Sequence, residues 1–283
     1  MNKFIAILVF CLAVCTQLVA QENTLLWKVS GKGLKQDSYL FGTMHILCPD
    51  DFEIKEKVSK ALKASSTLTL EVDAFSPENQ ELAKQLTAPN KEFLKSLSPE
   101  QLKSIETAFV AEQIPMQLFD MISPVGIMSF LALKSFNCPD PTLVKLMENE
   151  LVALAKADNK PVEELESLKF QMDLMNSIFI AEELYNYVQK MDTYPALTQR
   201  MVNAYKEENL AEFNAIMFDN SYLSKENQEM MLTKRNENWV KLMPERLKKG
   251  SNFFAVGAGH LIGEHGLISL LKKQGYKVTP IFK

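Results

Sequence analysis

The chain has 283 residues, 47% of them apolar and 23% charged, with a net charge of -4. That is the composition of a soluble globular protein with ample core, sized for one large domain or a domain carrying a big insertion. The mildly acidic balance, with no charge run long enough to form a tail, gives no footprint for nucleic acid or for a basic membrane-binding surface.

Residues 1–20 read as a secretory signal: Lys3, an apolar stretch from Phe4 to about Val14, and cleavage near Ala20. The stretch is short for a membrane span, which needs roughly 20 apolar residues. The mature chain, from residue 21, is therefore expected to be exported, periplasmic or extracellular, with no transmembrane span. Leu12 to Cys15 hints at a lipoprotein site, but bulky Val14 before the cysteine argues against it. Loss of the signal removes Cys11 and Cys15 and leaves Cys48 and Cys138. In an exported chain two cysteines can form one disulfide; two buried thiols are the alternative.

"LLWKVSGKG" and "SYLFGT" predict a hairpin around Gly31–Gly33. In "DDFEIKEKVSKALKAS" the apolar residues Ile54, Val58, Ala61 and Leu62 recur at helical spacing, with Asp50 or Asp51 as the expected cap. "TLTLEVD" alternates, placing Leu68, Leu70 and Val72 on one face and Thr67, Thr69 and Glu71 on the other. From residue 76 to about 249 the only glycine before Gly250 is Gly126, and helix starts recur. Ser76 and Ser98 each precede a proline, and Gln101 completes a capping box with Ser98. Met116, Met121, Met128, Met172, Met175, Met201, Met217, Met230 and Met231 fall in this block. They read as helix-packing residues rather than as a binding groove. "NFFAVG", "GLISLLKKQG" and "YKVTPIF" then give a strand, a helix stopped by Gly275, and a last strand.

The two ends share a pattern: strand, Gly-x-x-His, loop, helix, strand. Gly42 and His45 carry it first, Gly257 and His260 second. The expected fold class is α/β (α+β): two such units forming a central sheet (about residues 24–75 and 250–283) of a single domain, 21–283, with a helical insertion at about 76–249. In sheets built from parallel crossovers, ligands bind beyond the carboxyl ends of the strands. His45, His260 and Glu71 each sit at such an end. The glycines suit a tight turn or the close approach of a ligand or another backbone. Gly259, in the same run, belongs with them as a site-shaping residue. Two imidazoles and a carboxylate suit a divalent metal such as zinc, manganese or cobalt, which would activate water or polarise a carbonyl. Glu71 is equally readable as a general base. Arg235 and Asn236 precede Trp239 on a predicted helix. Their spacing alone reads as a solvated face, although an arginine could clamp an anion or a developing oxyanion. His265, just ahead of a helix, is not counted as a ligand. Asp50 and Asp51 are explained by a helix start without an acid–base role.

"YLFGTMHIL", "LTLEVD", "TKRNENW" and "VGAGHLIGEHGLISLLKKQGYKV" together resemble the TraB/PrgY/GumN family, which includes the Tiki proteases. The middle segment through Leu165-Glu166-Ser167 resembles the family's Leu-Glu-Thr-like motif, with serine in place of threonine. The resemblance implies an EreA/ChaN-like fold. It also implies function through His45, His260, Glu71 and Arg235, and a metal-dependent hydrolase acting on a peptide or protein. The rival implied by the same resemblance is a non-catalytic envelope protein that sequesters a peptide or binds haem.

Overall fold

A computed structural model describes residues 23–74 and 76–283. The expected signal segment and its cleavage point lie outside them. A six-stranded sheet organises the chain: β1 (Leu26–Ser30), β2 (Ser38–Thr43), β4 (Thr67–Leu70), β6 (Val162–Glu164), β7 (Asn252–Gly257) and β8 (Lys277–Pro280). Two short strands, β3 (Ile46–Leu47) and β5 (Lys145–Leu146), pair separately and antiparallel. The helices are α1 (Glu56–Ala64), α2 (Pro77–Leu86), α3 (Pro99–Ala111), α4 (Pro124–Ser135), α5 (Met147–Ala157), α6 (Leu168–Ile178), α7 (Ala181–Val188), α8 (Tyr194–Lys206), α9 (Leu210–Met217), α10 (Lys225–Gln228), α11 (Lys234–Lys249) and α12 (Leu267–Lys273). A π-helical turn, Glu229–Thr233, joins α10 to α11.

The strand order is β6-β4-β7-β2-β1-β8. β6, β4, β7 and β2 run parallel to one another, while β1 is antiparallel to both β2 and β8. The mixed α/β architecture matches the expectation at that level, but the two units interleave rather than stand side by side. β7, from the end of the chain, lies between β2 and β4. The segment expected to be a helical insertion also contributes strands: β5, and β6 as an edge of the main sheet.

Local signals explain several helix boundaries. Ser76, Ser98 and Ser123 cap α2, α3 and α4 through their hydroxyls, and Ser98 with Gln101 forms the expected capping box. Gly275 takes φ +89° just past α12, the left-handed turn that stops it. The helix after β3 differs from its prediction. Asp50 and Asp51 form a separate 3-10 turn with Pro49, α1 starts only at Glu56, and its N-cap, Lys55, has no side-chain cap bond. Asp51 instead pairs with Lys206 at 2.6 Å. The alternation in β4 also misleads. Thr69 is as buried as Leu68, because a central parallel strand is covered on both faces; its hydroxyl is satisfied by Asn252 Oδ1 at 2.7 Å.

Two apolar cores result. The larger joins the sheet to α1, α5, α8, α9, α11 and α12 through residues such as Phe253, Phe254, Leu151, Trp239 and Leu271. The smaller, around Ile105, Phe109, Ile127, Leu131 and Leu184, holds α3, α4 and α7 together. Of the methionines singled out above, Met116, Met128, Met201 and Met217 pack partly buried against these cores, and Met121 is exposed. No helix among the described residues is long and apolar enough to cross a membrane.

Candidate active site

Four adjacent parallel strands deliver side chains to one edge of the sheet. β2 is followed by His45, β4 by Glu71, β7 runs into a 3-10 turn ending at His260, and β6 is followed by Glu166. Parallel register aligns these carboxyl ends, which is why residues so distant in sequence converge. A Cβ added to Gly257 would sit 3.3 Å from Glu71 Oε1, 3.4 Å from His45 Nε2 and 3.6 Å from His260 Cδ2. The glycine therefore keeps open the space that these three side chains surround.

The glycines serve close approach, not unusual backbone angles. Neither Gly42 nor Gly257 has a positive φ. A Cβ on Gly42 would meet Leu261 Cδ1 at 2.7 Å and Ala258 Cα at 3.0 Å, so β2 could not pack against the turn that follows β7. A Cβ on Gly259 would press on Met217 Cε at 3.1 Å.

Both imidazoles have a defined orientation. Asn236 donates its amide nitrogen to the carbonyls of His260 (3.2 Å) and His265 (2.9 Å), so its oxygen faces His260 Nδ1 at 2.7 Å and accepts from it. His260 Nε2 then carries the lone pair, and it accepts from Arg235 Nη1 at 3.1 Å. This imidazole is neutral: burial, with the Arg235 charge, outweighs the pull of Glu71 and lowers its pKa to about 3. His45 is the opposite case. Its side chain is 61% exposed and its Nδ1 lies 2.8 Å from Glu148 Oε1, which also accepts from Thr43 Oγ1 at 2.6 Å. The Glu148 carboxylate raises the His45 pKa to about 9. Glu148 stands in the first turn of α5, and the β3–β5 pairing and the Met147 N–H to His45 carbonyl bond fix it there.

Glu71 is buried. Its Oε1 accepts from the Gly257 amide at 2.7 Å and its Oε2 from Arg235 Nη2 at 2.5 Å and Gln171 Nε2 at 3.3 Å. Burial alone would raise its pKa; the fields of His260, Arg235 and His45 and the Gly257 N–H reverse that and leave it at about 2. Arg235 and Asn236, which spacing would put on a solvated face, are only 4% and 2% exposed. All five Arg235 N–H groups are used: Nε and one of Nη2 on Glu166, the other Nη2 hydrogen on Glu71, and Nη1 on the Met231 carbonyl and His260 Nε2. The guanidinium also lies over Trp239, 4.7 Å from the ring centroid, and Trp239 Nε1 donates to Glu166 Oε2 at 3.0 Å. As placed, Arg235 has no N–H left for a substrate oxygen.

Glu148 and Glu166 join the same cluster, and no spacing in the sequence singles them out. Glu166 follows a three-residue edge strand that no hydrophobic run announces, although the stretch resembling a family motif contained it. Glu148 opens a helix, where an acid is ordinary. Three carboxylates (Glu71, Glu148, Glu166) face one guanidinium and at most one imidazolium, so the cluster keeps a net negative charge. Asp50, Asp51 and His265 take no part: Asp51 bonds Lys206, and His265 lies near Glu237. Cys48 and Cys138 are disulfide-bonded, with Cα atoms 5.4 Å apart, which ties the loop after His45 to the segment after α4.

Among the described residues, no group of three or more His, Cys, Asp or Glu stands arranged to hold a metal ion. The donor types nonetheless fit one: a neutral imidazole with its Nε2 pair directed inward, a second imidazole with its Nδ1 fastened to a carboxylate, and an ionised glutamate, inside an anionic cluster. His260 Nε2 and Glu71 Oε1 are 3.6 Å apart, close to the roughly 3–3.5 Å expected of two ligand atoms on one ion of zinc size. What separates them from a ready site is the Arg235 guanidinium, which already holds both residues.

The chain matches the model of the TraB/PrgY/gumN family over residues 25–280. It is 24% identical to Metalloprotease TIKI2 of Danio rerio, over 93% of this chain and 62% of that protein. It is 23% identical to the Metalloprotease TIKI homolog of Amphimedon queenslandica, over 92% of this chain and 62% of that protein. The chain thus spans about 62% of the length of these curated relatives. No solved structure matches it.

Proposed function

Since the chain belongs to the TraB/PrgY/gumN family, we propose that it is a metal-dependent hydrolase of peptide bonds, with His45, His260 and Glu71 holding a divalent ion. The observation that carries this reading is the pairing of two strand-end imidazoles, each with Nδ1 tied to an oxygen acceptor, around a buried carboxylate and an open glycine. The distant likeness to named metalloproteases supports it.

A bound divalent ion would polarise a scissile carbonyl or lower the pKa of a water molecule. The chain's own residues do the rest. Asn236 and Glu148 hold the two imidazoles in register, as outer-shell partners of ligating histidines do. The Gly257 amide fixes Glu71 Oε1. A carboxyl held near pH 2 stays ionised and is a weak proton acceptor, so Glu71 serves better as a ligand than as the general base. The open edge of the sheet at exposed His45 is where a substrate would approach. We also place the chain in an exported, oxidising compartment, a reading that the Cys48–Cys138 bond supports. On the same resemblance, its sheet and helices are read as EreA/ChaN-like.

The test is metal analysis of protein purified without chelators, beside cleavage of a peptide library. Bound manganese, cobalt or zinc, with cleavage that EDTA stops and added ion restores, is the expected result. His45→Ala with His260→Ala should remove both. Cleavage that survives EDTA in that double variant would sink the proposal.

A further inference from the structure

His260 Nε2 has one lone pair. In the structure it accepts from Arg235 Nη1 at 3.1 Å, and Nδ1 is occupied by Asn236 at 2.7 Å. The same lone pair cannot serve a guanidinium and a metal ion together. Glu71 is shared in the same way: Oε2 is held by Arg235 Nη2 and Oε1 by the Gly257 amide. Arg235 therefore supplies the positive charge that the anionic cluster needs, from the position that faces both His260 and Glu71.

The guanidinium also has somewhere to go. Glu166 already takes Nε at 3.1 Å and Nη2 at 2.6 Å on Oε1, with Oε2 3.3 Å from Nε. A small rotation would complete a two-pronged arginine–carboxylate pair. Glu166 is held for that role by Trp239 Nε1 and by Gln171 Nε2 at 3.2 Å, and the face of Trp239 supports the guanidinium in either position.

We propose that Arg235 is a resident stand-in cation that metal must displace, and that Glu166 is the partner that receives it. This rests on the metal-site reading above and adds a regulation of it: metal affinity is set by competition between Glu71/His260 and Glu166 for one guanidinium. Neither Arg235 nor Glu166 is a metal ligand in this scheme; both are positioning residues.

The test is cobalt(II) affinity, read from the visible absorbance of the bound ion, in the full chain and four variants. Arg235→Lys keeps the charge but loses the fork, so it cannot hold His260 and both carboxylates at once. Cobalt should bind it about tenfold tighter or more, the worth of one hydrogen bond from a charged donor. Arg235→Met should tighten binding further. Glu166→Gln should weaken binding by a similar factor, because the guanidinium loses its destination, yet have no effect when Arg235 is methionine. That non-additivity identifies competition. Long-range electrostatics alone predicts no change for Arg235→Lys and the same Glu166→Gln penalty in both backgrounds, and that pattern would overturn the inference while leaving the metal site intact. Should Arg235→Met not fold, Arg235→Lys with and without Glu166→Gln supplies the same cycle. Cobalt bound by no form would overturn the metal reading and this inference with it. Cobalt bound only once Arg235 is replaced would support the competition while overturning the reading that the unmodified chain works with a bound metal.

Discussion

Glu148→Gln isolates one charge beside His45 without removing its oxygen acceptor. In the metal-free protein the Glu148 carboxylate, 2.8 Å from Nδ1, raises the His45 pKa from 6.5 to about 9. A floor for that effect follows from the distance. Two unit charges 2.8 Å apart attract by about 1.5 kcal/mol even at the dielectric of bulk water, or about one pH unit. Glu148 is only 20% exposed, which adds to this, while the 61% exposure of His45 limits it. The variant should therefore lower the His45 midpoint by about one to two pH units. The assay is an imidazole NMR titration, in which three histidines give three signals and His45→Ala assigns one. Stability should follow with a definite sign. A folded-state pKa above the unfolded one gives stability that is complete below pH 6.5 and is lost as the pH rises through about 9. Wild type should lose stability across that window, and Glu148→Gln should lose less of it, over a range that ends about one to two pH units lower. A His45 midpoint that moves by less than about 0.3 pH unit in the variant would refute the claim that this carboxylate controls His45.

Glu71 gives the mirror-image dependence: its contribution is present above pH 4.5 and is lost as the pH falls toward about 2. Acid unfolding of Glu71→Gln should accordingly be shallower in that range, and identical acid profiles would count against the buried ion network. Replacing both Cys48 and Cys138 by serine releases a closure over a sequence separation of 90 residues and should lower stability by about 2–5 kcal/mol in urea unfolding; an unchanged midpoint against the oxidised wild type would refute the bond's role. Gly42→Ala drives a methyl into Leu261 and the Ala258 backbone, so it should cost about 1–3 kcal/mol, read as a lower melting temperature. A wild-type melting temperature would show that the turn after β7 yields to it.

The sequence carried the parts of this site that depend on local signals. Two glycine–histidine steps after apolar strands, and a glutamate closing an alternating strand, were enough to bring His45, His260 and Glu71 together on paper. The capping serines marked helix starts for the same reason: their chemistry is complete within four residues. Partnership across the fold was not legible. Arg235 reads as a surface residue because nothing in "TKRNENW" says that three strand ends and Trp239 will enclose it. Glu166 was hidden because β6 is three residues long and takes its stability from pairing with β4 rather than from its own pattern. Glu148 looked like an ordinary first-turn acid. Gly42 and Gly257 read equally as turn or close-approach residues, and only the fold shows that they clear space without left-handed backbone angles.

The place of β7 constrains how the molecule is made. The strand at the centre of the parallel ladder starts at Asn252, after every other strand except β8 has been synthesised. Until it arrives, β2 and β4 each lack the neighbour they pair with over most of their length, so a nascent chain holds two unpaired edges, the state most open to mispairing. Non-local pairing of this kind folds slowly, and a chain stopped at Gly250 should stay sensitive to protease. Because β7 also brings Gly257 and His260, closure of the sheet and assembly of the candidate site are one event, and a chain that lacks β7 has neither.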